Sequence, residues 1–166
     1  GVAAAFLACS NVPNQVELET NFIAAAEASP SCSYLVKLGT CGVKGYCALE
    51  SVIEHGRWLA AIEERLAQCA EGTMRWTSLH PNCFMQNHLG DVFGSIPAAG
   101  IIAYPHKDVG AAVVDTRDVG DVAAGLLLDV ESSAAQSAAE RRGRRLALAA
   151  MHTEERGKPV AAMHTE

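Results

Sequence analysis

Leu79-His80-Pro81-Asn82-Cys83-Phe84-Met85-Gln86-Asn87 is the stretch on which the reading of this chain turns. A strand is expected just before it, over Thr73 to Leu79, and a helix just after it. A Pro-Asn pair at such a junction marks the carboxyl edge of a sheet. Open α/β folds bind their ligands at that edge.

The pattern on either side agrees. Upstream, Val2 to Cys9 is a continuous apolar run, as expected of a parallel strand buried on both faces. Ser10-Asn11-Val12-Pro13-Asn14 is a turn. Asn14 and Glu17 have capping-box spacing and predict a helix over 15–28, with Leu18, Phe22 and Ala25/Ala26 on one face. Ser29-Pro30 ends it. Tyr34 to Leu38 is a second strand, and Gly39 to Gly45 a glycine-rich loop. Ser51 with Glu54 predicts a capping box for the next helix. Its apolar positions are His55, Trp58/Leu59, Ile62, Leu66 and Cys69/Ala70, and Gly72 stands where a C′ glycine belongs. Downstream, 94–110 reads as loop, Ala111 to Val114 as a short strand and 118–129 as a helix capped by Asp115 or Thr116. Strand and helix alternate, which predicts an α/β fold: a Rossmann-like parallel sheet with flanking helices, occupying 1–130.

From about 131 the character changes. Ala149-Ala150-Met151-His152-Thr153-Glu154 recurs as Ala161-Ala162-Met163-His164-Thr165-Glu166. Residues 131–166 hold six basic residues, four of them in Arg141-Arg142-Gly143-Arg144-Arg145, against seven in residues 1–130. This tail is expected to be helical over roughly 132–150 or loosely ordered. The arginine cluster reads as a solvated helix face.

Composition narrows the class. The chain is 49% apolar and 19% charged over 166 residues, which suits one globular domain. A net charge of −6 disfavours nucleic acid as a partner. No apolar run reaches the ~20 residues that span a bilayer. The cysteines at 9, 32, 41, 47, 69 and 83 form no C-x-x-C pair and have no histidine at zinc-ligand spacing, so no metal is expected. They read as reduced thiols, mostly small buried hydrophobes, and with them a cytoplasmic protein is expected.

Several segments resemble the NmrA-like family of atypical short-chain dehydrogenase/reductases, in the right order across roughly residues 2–128. Leu79 to Asn87 resembles the family's "RPNxFMxN". Gln15 to Ile23 is similar to "QVxLExNFIxAA", and Tyr34 to Gly39 to "hIVKLS". Arg57-Trp58 with Ile62 to Leu66 resembles "W…IEExL". Val114 to Val119 with Asp121 to Ala124 resembles "VDVRDIAEVAA". The resemblance implies a Rossmann fold that binds NAD or NADP. It also implies that the chain begins at the fourth strand of such a domain. By this resemblance the family's first three strands, with the G-x-x-G-x-x-G loop whose glycines let a helix N-terminus approach the pyrophosphate, would lie upstream of Gly1. A partial sheet would leave one face and one edge strand bare.

The same resemblance assigns site residues. Ser10, Asn11 and Pro13 would line the cofactor groove; a plain strand-to-helix turn is the alternative. Lys37 would lie near the cofactor side, the alternative being a lysine that snorkels to water. Leu38 and Gly39 would flank the nicotinamide ribose. Pro81, Asn82 and Phe84 would cover the nicotinamide, and Asn87 would reach into the substrate pocket. Core packing is the alternative for Phe84, Met85 and Leu89. His80 replaces the family's arginine, with loss of a fixed charge. Asp115, Arg117 and Asp118 read best as a helix cap with local ion pairs.

Ordinary members of the wider class use Tyr-x-x-x-Lys, in which the lysine lowers the tyrosine pKa for proton transfer. That pair does not occur here. His55 can serve as an acid, although a half-buried helix histidine is the plainer reading. Three functions follow as expectations. The first is an NAD(P)H-dependent oxidoreductase acting on a small carbonyl or quinone. The second is a non-catalytic NAD(P) redox sensor with a protein partner. The third is a fragment without function.

Overall fold

The computed structural model describes residues 1–40, 47–69, 74–102 and 112–128, together with the backbone of 144–148. The strands are β1 (Ala4–Leu7), β2 (Tyr34–Leu38), β3 (Arg75–Pro81), β4 (Cys83–Phe84), β5 (Val113–Val114) and β6 (Arg144–Leu148). The helices are α1 (Gln15–Ala28), α2 (Glu54–Ala67), α3 (Ile96–Ala99) and α4 (Thr116–Leu128). The main sheet has the order β1-β2-β3-β6, and each pairing is parallel. β4 and β5 form a second, parallel pair.

Strand alternation divides the core into two layers. Leu7 and Leu35 point to one side, where Ile23 and Ala26 of α1 meet Ile62 and Leu66 of α2. Tyr34, Val36 and Leu79 point to the other side, against Val119 and Ala123 of α4. Helices therefore cover both faces, as the alternation of elements required. Ile23, Leu35, Ile62 and Leu66 are fully buried, each contributing roughly 1.5–3 kcal/mol.

Several expectations are corrected. The tail residues 144–148 form a strand on the far side of β3, not a helix; 129–143 and the repeated Met-His-Thr-Glu segments lie outside the described residues. The buried stripe of α1 is Gln15, Glu19, Ile23 and Ala26, while Leu18 and Phe22 are exposed. Helix α1 thus turns a polar first half inward, for a reason found on β2. Met85 and Leu89 are exposed and do not pack in the core; Phe84 does, against the α4 layer. After Asn82 the chain makes β4, a 3-10 turn (Met85–His88) and a π turn (Asp91–Ser95) before α3, so Gly94–Ala99 is helical where loop was expected.

β1 is half-exposed and not buried on both faces, because it is an edge strand and Phe6 reaches solvent. Neither capping box forms. Asn14 makes no side-chain cap bond, and Ser51 Oγ accepts the Ile53 N–H, one residue short of the Glu54 N–H that a capping box needs. Five cysteines are free, but only Cys32 is buried; Cys41 and Gly72 lie outside the described residues. None of the described helices is long and apolar enough to cross a membrane.

Candidate functional site

The carboxyl ends of β2 and β3 are tied together. The Gly39 N–H donates to the Leu79 carbonyl at 2.7 Å, and Thr40 Oγ1 donates to the Pro81 carbonyl at 3.4 Å. The loop after β1 joins the same edge, and Ser10, Asn11 and Pro13 are all exposed there. Three strand ends and the N-terminus of α1 thus meet where an open parallel sheet binds ligands.

Two buried polar clusters lie beneath this edge, on the α1/α2 side. The first is built on Lys37, whose side chain is 0% exposed. Its Nζ stands 2.8 Å from Glu19 Oε2 and donates to the Leu38 carbonyl at 2.6 Å. The snorkelling alternative is thereby corrected: a fully buried ammonium needs a charge partner, and α1 supplies it. Gln15 Nε2 donates to Glu19 Oε1 at 2.7 Å. Its Oε1 is buried with no hydrogen-bond partner. Flipping the amide would set that oxygen against a carboxylate, so the orientation is fixed. Glu19 Oε2 accepts no directional hydrogen bond, so its tie to Lys37 is an ion pair.

The second cluster joins α2 to β3. Ser78 Oγ donates to Glu63 Oε1 at 2.7 Å. His80 Nε2 pairs with the same carboxylate oxygen and lies 3.1 Å from Ser78 Oγ. A serine-histidine-acid relay uses both ring nitrogens and an accessible hydroxyl. Here Glu63 and Ser78 share one nitrogen and Ser78 is fully buried, so the cluster holds geometry and does not attack a substrate. Gly39 closes it. A Cβ on Gly39 would come 2.9 Å from His80 Cδ2, 2.9 Å from Ser78 Oγ and 3.2 Å from the Leu79 oxygen.

The other expected site residues are dispersed. Pro81 is fully buried, paired with Leu148. Leu38 and Phe84 are partly buried and pack in the α4 layer. Asn82 is half-buried. Asn87 is exposed, and its Nδ2 lies 3.5 Å from Cys83 Sγ. His55 is half-buried in the first turn of α2. Asp115 acts as the α4 cap: Oδ1 accepts the Arg117 N–H and the Gln86 amide, each at 2.8 Å. Those bonds, the Arg117 N–H first, hold its carboxyl below the usual range. Asp91 is lowered too, chiefly by its bond with His88 and then by Ser95.

Sequence reasoning missed Glu19, Glu63, Ser78 and Gln15. One signal was available: a lysine inside an apolar strand demands a buried acid. Which acid it is depends on which helix face turns inward, and the exposed Leu18 and Phe22 made that face misleading.

The chain is 30% identical over 123 residues to the NAD(P)H azoreductase of Xenophilus azovorans, covering 74% of this chain and 40% of that protein. It is 32% identical over 127 residues to the (4-alkanoyl-5-oxo-2,5-dihydrofuran-3-yl)methyl phosphate reductase of Streptomyces griseus subsp. griseus, covering 76% and 42%. The chain therefore spans about two fifths of the length of these curated relatives. Both are reductases. No family model matches the chain, and no solved structure matches it.

Proposed function

We propose that this chain carries the nicotinamide-binding part of an NAD(P)H-dependent reductase of the NmrA-like type, one that acts on a small carbonyl or quinone. The observation that supports it most is the knitted carboxyl edge of β2 and β3, where Gly39 and Thr40 grip Leu79 and Pro81 beside Asn82. Two distant reductase relatives, one named for NAD(P)H, support the same chemistry.

The described residues at this edge suit the nicotinamide end of a dinucleotide. Exposed Ser10 and Asn11 and half-buried Asn82 offer hydrogen-bonding groups around the edge. Gln15 Oε1, an unpaired acceptor in the first turn of α1, has the chemistry to accept a hydrogen bond from an amide or hydroxyl. Lys37 is committed to Glu19, so it orients the strand end and does not hold a ribose. When bound, the nicotinamide supplies the hydride. The protein's part is to fix the ring's orientation and exclude water.

A second reading, a redox sensor that binds the dinucleotide without turnover and passes its state to a protein partner, is favoured by the burial of Lys37. Among the described residues no lysine stands ready to tune an acid, and His55 is a candidate for proton transfer. Calorimetric titration of the purified chain with NADPH and NADH, followed by turnover with menadione and an aldehyde, separates the cases. Micromolar binding with turnover is expected for the enzyme, and binding without turnover for the sensor. A cooperative melt with no binding of either nucleotide overturns both.

A further inference from the structure

We propose that Glu63, Ser78 and His80, seated on Gly39, form a positioning device that sets the nicotinamide turn at Pro81-Asn82. The proposal rests on the reading of that edge as a nicotinamide site, and it gives a role to Glu63 and Ser78, to which the resemblance assigns none.

The cluster ties three elements at one point. Glu63 belongs to α2, Ser78 and His80 to β3, and Gly39 follows β2. His80 is the last residue before Pro81, so the direction of its ring and the start of the turn are set by the same backbone. Glu63 Oε1 receives both Ser78 Oγ and His80 Nε2, which fixes the imidazole from one side. Gly39 leaves the room that the ring occupies. A side chain on Gly39 would need the space that His80 Cδ2 occupies.

Lys37 is the ladder neighbour of Ser78, but it is paired with Glu19. Arg145 and Ala147 stand opposite Ser78 and His80 on the β6 side. Glu63 and His80 are mostly buried, so their pairing is not diluted by water as a surface pair would be. The grip differs from plain core packing because it is directional. An apolar ring in place of His80 fills the volume but loses the bond that aims the turn.

The test uses the purified 166-residue chain, with reduced nicotinamide mononucleotide and NADPH as probes. Affinity is read by calorimetry, the nicotinamide environment by its fluorescence, and folding by a parallel melt. His80→Phe should keep a cooperative melt and weaken both ligands on the order of tenfold, the scale expected when a hydrogen bond to a charged group is lost. It should also return the nicotinamide emission toward that of the free ligand. His80→Gln, whose amide can donate to Glu63, should restore most of the affinity. If His80→Phe fails to fold, Glu63→Gln is read in the same way. Unchanged binding in the folded variant, or failure of glutamine to rescue, overturns the positioning role while the parent reading stands. A folded wild-type chain that binds neither probe overturns both.

Discussion

Lys37 Nζ stands 2.8 Å from Glu19 Oε2, with both side chains essentially sealed from solvent. This pair explains the orientation of α1. The helix could have buried Leu18 and Phe22; it buries Gln15 and Glu19 instead, because an unpaired ammonium inside the sheet would cost far more than two exposed apolar side chains.

Removing one member should therefore be worse than removing both. Lys37→Met leaves a buried carboxylate and is expected to cost about 3–5 kcal/mol in urea unfolding. The double variant Lys37→Met with Glu19→Leu should recover a large part of that loss. Additive losses in the double-mutant cycle would show that the pair does not couple β2 to α1.

Two glycines should respond oppositely to alanine. Gly39→Ala pushes a methyl into His80, Ser78 and the Leu79 carbonyl, and a destabilisation of about 1–3 kcal/mol is expected. At Gly90 the space is open and φ is helical, so alanine should be neutral or stabilise by up to about 1 kcal/mol. Thermal melts of both variants check this, and equal shifts would contradict the close approach at Gly39.

The α4 cap should loosen in acid. The Asp115 carboxyl is held below its ordinary value, so its contribution is present above the unfolded-state pKa and is lost as pH falls through the folded-state one. Amide exchange at Arg117, whose N–H it accepts, should accelerate over that range once corrected for intrinsic rates. Asp115→Ala should show fast exchange at every pH, and the same pH response in that variant would assign the effect elsewhere.

The elements themselves were legible because periodicity is a local property. Helix α1 over 15–28 and strand β2 over 34–38 came out at the observed bounds, and Asp115 caps α4 as its sequence setting suggested. The site was less legible. Lys37 could be picked out as an anomaly in an apolar strand, but Glu19 could not be matched to it. Glu63 and Ser78 are fifteen residues apart and meet only when α2 lies across β3. His80, which looked like a lost charge, has a carboxylate partner. The strand at 144–148 was missed because its pairing with β3 is entirely non-local.

The sequence by itself determined the alternation of strand and helix, and hence a parallel α/β sheet with its carboxyl edge at Pro81-Asn82. Spacing along the chain was enough for that. The tertiary structure alone decided which face of α1 turns inward, which acids answer Lys37 and His80, and what closes over Gly39. Those choices balance the desolvation of charge against the burial of apolar surface between distant segments, and that balance exists only once the segments are packed together.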